Sequence, residues 1–145
     1  MNVAWVITPG ANASNGVTRS LWTAAPTGIA TNHVALSSAV TTATYAGAMN
    51  QTLCVFGAGS ELRRLDPGDA TTLLDDVTGD TVAKVVIVGT DIVYATIGGQ
   101  VRTVPLTGAK PKSLGGIPDQ VIGLAATTSC VFVLNDQGDL YSVAR

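Results

Sequence analysis

One strand-like motif recurs four times along this chain: Arg19-Ser20-Leu21, Arg63-Arg64-Leu65, Arg102-Thr103-Val104 and Tyr141-Ser142-Val143. Each copy follows a short apolar run and a glycine-bearing turn. Counted at the last residue of the motif, successive copies lie 44, 39 and 39 residues apart. A period in this range marks a repeat architecture, in which each copy is one supersecondary unit that buries its apolar faces only against its neighbours.

The content of each unit is a run of strands. In the last one, Val121 to Ala126 and Cys130 to Leu134 are apolar runs rich in β-forming residues, joined by the tight connection Thr127-Thr128-Ser129. Asn135-Asp136-Gln137-Gly138-Asp139 is a turn, and Leu140 to Val143 alternates like a half-buried strand. The preceding unit repeats the pattern with Val82 to Val88, Ile92 to Ile97 and Gln100 to Leu106, and adds a short, polar outer strand at Lys112-Ser113-Leu114. Its Gly98-Gly99 reads as a hairpin turn. One unit earlier come Thr42 to Met49, Leu53 to Phe56, Glu61 to Asp66 and Thr71 to Leu74. Phe56, Tyr94 and Phe132 lie 38 residues apart in turn, as do Cys54, Ile92 and Cys130, and are expected to occupy equivalent places. In the N-terminal copy Val3 to Ile7 reads as a second strand, with Trp5 in the place of Phe56, and Thr18 to Trp22 as a third. About fourteen strands result, arranged as approximate units 1–41, 42–80, 81–120 and 121–145 of a single domain, the first and last incomplete.

The final segment, Val121-Ile122-Gly123-Leu124-Ala125-Ala126 through Cys130-Val131-Phe132-Val133-Leu134 to Gly138-Asp139-Leu140-Tyr141-Ser142-Val143, resembles the blades of quinoprotein-type and RCC1-type β-propellers. The resemblance implies an all-β, propeller-like array of about four antiparallel meander blades. Small residues on the first strands, such as Gly123, Ala125 and Ala126, suit the crowded axis of such an array.

Composition narrows the function classes. Charged residues are only 12% of the chain and its net charge is −2, with the basic residues scattered, so neither nucleic acid nor an anionic membrane surface is an expected partner. The longest uninterrupted apolar stretches, such as Val85 to Val88, are strand length, and no membrane insertion is expected. The opening residues lack the pattern of a secretory signal, which favours a cytoplasmic or organellar location without fixing the compartment. Cys54 and Cys130 do not make a disulfide framework and read as free, buried thiols.

No residue combination assembles a recognisable catalytic, cofactor-binding or metal-binding motif. His33, the single histidine, stands in a Gly/Thr/Ala-rich connection with no nucleophile motif beside it and reads as a solvated side chain. The acidic stretch Asp66-Pro67-Gly68-Asp69, with Asp75-Asp76 and Asp80, lacks calcium-loop spacing and reads as solvated turns. Gly57-Ala58-Gly59 follows a strand but leads into another, whereas a phosphate-cradling loop leads into a helix. Arg19, Arg63 and Arg102 share one position of the unit, where a repeated structural role or a partner-binding surface is expected. Asn12-Ala13-Ser14 and Asn50-Gln51-Thr52 fit the glycosylation pattern by chance in so Ser- and Thr-rich a chain.

The expectation is a non-catalytic scaffold or protein-interaction module, not an enzyme and without a cofactor. Incomplete terminal units leave strand edges and sheet faces to be covered, by a second copy or by another subunit that completes the ring. The alternative is a carbohydrate- or small-ligand-binding, lectin-like propeller, with Trp5, Trp22, Tyr94 or Tyr141 as stacking platforms.

Overall fold

The structure, a computed structural model, describes residues 3–7, 20–24, 31–32, 40–46, 53–66, 68 and 70–145. Over these residues the chain forms fourteen strands in four antiparallel sheets, with no helix among them longer than a single turn. The first sheet joins β1 (Val3–Ile7), β2 (Ser20–Ala24) and β3 (Thr31–Asn32). The second joins β4 (Val40–Ala46), β5 (Leu53–Ala58), β6 (Glu61–Leu65) and β7 (Thr71–Asp76). The third joins β8 (Val82–Val88), β9 (Asp91–Thr96), β10 (Gln100–Pro105) and β11 (Lys112–Gly116). The fourth joins β12 (Val121–Ala126), β13 (Cys130–Asn135) and β14 (Leu140–Ala144). Within each sheet every strand pairs with the next one in sequence, so each sheet is a meander.

The first strands of the sheets run side by side, β1 against β4, β4 against β8 and β8 against β12. This corrects the expectation for the N-terminal unit. Val3–Ile7 is a first strand, not a second, and the strand holding Trp22 is the second of its sheet. An aromatic in a short apolar run suits either position, so composition alone did not distinguish them.

Three of the first strands open with a bulge, between Val40 and Thr42, Val82 and Lys84, and Val121 and Gly123. The residue before each bulge is buried and pairs with the end of the second strand: Val40 with Ala58, Val82 with Thr96, Val121 with Asn135. These bulges give an internal ruler, and it moves the register of the last sheet by one residue. The equivalent of Phe56 and Tyr94 is Val133, not Phe132, and the equivalent of Cys54 and Ile92 is Val131, not Cys130. The cause is local. The β5–β6 hairpin is one residue shorter than the β9–β10 and β13–β14 hairpins, so the spacing of 38 between the second strands of the second and third sheets does not carry on to the fourth.

Alternate residues of the third sheet face the second sheet and the fourth. Val55, Leu62 and Leu74 of the second sheet meet Val85, Ile92, Tyr94 and Val104 of the third in one buried cluster. Val93, Ala95 and Val101 then face the other way and meet Val131 and Val133 of the fourth. Each fully buried side chain of this size stabilises the fold by about 1.5–3 kcal/mol, and a sheet standing alone would forfeit that on both faces.

The sheets approach most closely near the first strands. A Cβ on Gly57 would lie 2.8 Å from Cγ1 of Val82, and beside it the Thr41 hydroxyl donates to the Val82 carbonyl at 2.6 Å. Gly99 closes the β9–β10 turn at a φ of 85°, and the Ile117 amide donates to its carbonyl at 2.9 Å. A Cβ there would come within 2.1 Å of the Ile117 carbonyl oxygen, a backbone atom that has no room to move. Gly99→Ala is therefore expected to lower the unfolding free energy by about 2–4 kcal/mol, through positive-φ strain and backbone collision together. Denaturant unfolding followed by circular dichroism measures the loss.

Candidate interaction surface

The ruler set by the bulges allows the outward faces of the second, third and fourth sheets to be compared position by position. On the second strands the matching residues are Val55, Val93 and Phe132. The first two are 0% exposed and Phe132 is 37% exposed. On the third strands the matching residues are Leu62, Val101 and Leu140, and their exposures are 0%, 0% and 70%. The valines and leucine are covered because another sheet lies over them. Phe132 and Leu140 occupy the same places with no such cover.

This face of the fourth sheet is apolar apart from Ser142 at the centre of β14. Ala125 pairs with Phe132 and Phe132 with Ser142; Leu134 stands opposite Leu140. Ile122, at the bulge of β12, is also exposed. The face is bulkier than its internal counterparts: Leu134 replaces Gly57 and Ala95, and Phe132 replaces Val55 and Val93. At one end the β13–β14 turn presents Asp136 and Asp139 to solvent. The outer edge of β14 is also open among the described residues, whereas β6 and β10 carry β7 and β11 there.

The opposite face is firmly held. Val131, Val133, Tyr141 and Val143 pack on the third sheet, and the Arg145 guanidinium donates to the Asp91 carboxylate at 2.6 Å and to the Thr127 carbonyl at 3.3 Å.

Some of the polar groups singled out in the sequence join sheets, and others bond within one sheet. The Tyr94 hydroxyl donates to the Asp75 carboxylate, and Nε of Arg102 donates to the same carboxylate at 2.9 Å and to the Tyr94 hydroxyl at 3.0 Å. This cluster ties the third sheet to the fourth strand of the second. Burial, and then the hydrogen bond to Asp75, raises the Tyr94 pKa. Arg63 matches Arg102 in position, but its Nε donates to Glu61 at 2.7 Å within its own sheet. The two arginines do not form a common surface. Nε of Arg64 donates to Asp66 at 2.6 Å, and its Nη1 to the Leu106 carbonyl of the next unit at 2.6 Å. The Arg64 hydrogen bond holds the Asp66 carboxyl below its usual range. Burial works against the charge on Asp80, and hydrogen bonds from Thr96, Thr81 and Gly98 outweigh it, so its pKa is lowered. The acidic stretch thus divides among separate partners, and among the described residues no group of three His, Cys, Asp or Glu side chains is placed to hold a metal ion.

A shallow depression of about 260 Å³ lies where the first strands begin, lined by Thr41, Thr81, Lys84, Ile97, Gln120 and Ile122 among others. It offers one ammonium group, hydroxyls and an amide, with no pairing of acid and base. Tyr94 is buried and Tyr141 is half-buried against the third sheet, so neither forms an open stacking platform. The side chains of Trp5 and Trp22, which pair across β1 and β2, lie outside the described residues, as do His33, Arg19, Asn12, Asn50, Pro67 and Asp69. Both cysteines are free. Cys54 is buried as expected, but Cys130, one residue out of the equivalent register, is partly exposed.

No family model and no curated protein matches the chain. Among solved structures it resembles the crystal structure of the N-terminal domain of Nup159, a β-propeller, at 12% identity and a TM-score of 0.55. The fold is a β-propeller fold. The match covers 97% of this chain and 37% of that one, so the propeller sheets described above span little more than a third of that neighbour's length. The likeness is one of fold and supports neither the quinoprotein nor the RCC1 type of blade.

Two buried acids of the propeller respond to alkali in the same direction. Burial pushes the Cys54 thiol up from 9.0 to about 12, and Tyr94 also titrates later when folded than when unfolded. The unfolded chain therefore releases these protons first, and stability is expected to be full below pH 9, to fall by about 1 kcal/mol per pH unit between pH 9 and 10 through Cys54, and to fall about twice as steeply above pH 10. Denaturant midpoints between pH 8 and 11 measure the slope, and Tyr94→Phe is expected to flatten it above pH 10.

Proposed function

We propose that this chain is a non-catalytic scaffold or protein-interaction module, a subunit of a larger assembly in which another protein surface covers the fourth sheet. The observation that carries this reading is the contrast between Phe132 and Leu140, exposed, and their counterparts Val55, Val93, Leu62 and Val101, buried. A contiguous apolar patch on an otherwise well-packed sheet marks an interaction surface, and the open edge of β14 lies along it. The side chains support the same reading: among the described residues Arg64, Arg102 and Arg145 each reach across to another sheet or unit, and the depression at the first strands lacks the groups for acid–base chemistry.

Analytical ultracentrifugation of the purified 145-residue chain, with binding of a hydrophobic dye, tests the proposal. Self-association or dye binding is expected, and Phe132→Lys with Leu140→Lys is expected to lower it by about twofold or more while the circular dichroism spectrum stays that of the parent. A monomer that binds no dye, or association that these substitutions leave unchanged, would overturn it.

A further inference from the structure

The second and third sheets each end on a fourth strand, and the two junctions are built alike. β7 pairs with β6 and β11 with β10, both antiparallel, and each pairing carries a bulge at the same place: opposite Leu62 and Arg63 in one, opposite Val101 and Arg102 in the other. The extra residue is a leucine in both, Leu74 and Leu114. Both leucines join the apolar layer between their own sheet and the next one. Two residues further on, Asp76 stands opposite Glu61, and Gly116 stands opposite Gln100.

β14 repeats the third strand of these sheets. Leu140 holds the place of Leu62 and Val101, Tyr141 the place of Arg63 and Arg102, and Asp139 the place of Glu61 and Gln100. Among the described residues no strand pairs with its outer edge, and the side chain a bulge leucine would cover, Leu140, is 70% exposed.

We propose that the outer edge of β14 binds an extended segment of a partner polypeptide, added antiparallel as a fourth strand, with a leucine at the bulge opposite Leu140 and Tyr141. The inference rests on the reading of the chain as an interaction module and names the partner's chemistry. Main-chain hydrogen bonds along Leu140–Ala144 supply the attachment, and the leucine selects the register. A lysine or arginine two residues after that leucine stands opposite Asp139 and close to Asp136, both of which are exposed, so the favoured segment is basic on its C-terminal side.

The test uses the full chain labelled with ¹⁵N and a synthetic peptide with the sequence of Lys110–Ile117 carrying Gly116→Lys. The expected result is saturable movement of the amide resonances of Leu140–Ala144 with little change at Ala125. Leu114→Asp in the peptide, and separately N-methylation of its alternate backbone amides, are each expected to weaken binding by about tenfold or more. Leu140→Asp in the chain is expected to weaken it similarly and to leave the fold intact, because that side chain is already exposed. An N-methylated peptide that binds as tightly as the parent, movement confined to other strands, or no binding at all would overturn strand addition. If the peptide fails while association through Phe132 persists, only this inference falls; if association is absent too, the interaction reading falls with it.

Discussion

Face-to-face packing of each sheet on the next is the interaction on which the rest of this structure depends. A four-stranded meander alternates its side chains between two faces, and in the second and third sheets both faces are apolar. No such sheet satisfies itself. Val55 and Leu62 are buried by Ile92 and Tyr94, and Val93 and Val101 are buried in turn by Val131 and Val133. Stability is therefore shared between neighbours, and a sheet's worth to the fold depends on what lies on either side of it.

The polar residues follow from that arrangement. A seam between sheets leaves carbonyls and hydroxyls near its rim, and the chain meets them with groups that cross from one sheet to the next: Thr41 to Val82, Arg64 to Leu106, Asp75 to Tyr94 and Arg102, and Arg145 to Asp91. Hydrogen bonds to charged groups across a partly buried seam contribute on the order of 1.5–3 kcal/mol each where the pairing is complete, and they favour one register of sheet on sheet over others. Five of the described charged residues, Arg64, Asp75, Asp91, Arg102 and Arg145, are engaged in this way, and the fourth sheet keeps an exposed apolar face and an open edge.

Much of the fold was legible in the sequence, because turns and strand lengths are written locally. Gly98-Gly99 and Asn135 to Asp139 mark hairpins by their glycines, and the order of strands in the last three sheets follows from the spacing of apolar runs. Register was legible only where hairpins match in length. The short β5–β6 turn made Phe56, Tyr94 and Phe132 look equivalent, when the bulges of β4, β8 and β12 align Val133 with the first two. That one-residue shift decides what Phe132 does: in the expected register it would be core, and in the observed one it faces outward. The exposed apolar face was hidden for the same reason. Leu140 alternates with Tyr141 as any half-buried strand residue would, and only the absence of a sheet above it distinguishes it from Leu62 and Val101. The N-terminal unit was misread because Trp5 suited a second strand as well as a first, and the packing of β1 on β4 is a tertiary fact with no local signature.

The central claim is that Leu62 and Leu140 hold one structural position and differ only in whether a further sheet covers them. Measuring the unfolding free energies of Leu62→Ala and Leu140→Ala in the same chain tests it most directly. The account predicts a loss of about 2–5 kcal/mol for Leu62→Ala, as for any leucine removed from a packed core, and a change within about 0.5 kcal/mol for Leu140→Ala. Equal losses at the two positions would contradict it, since they would mean that Leu140 is covered or that Leu62 is not.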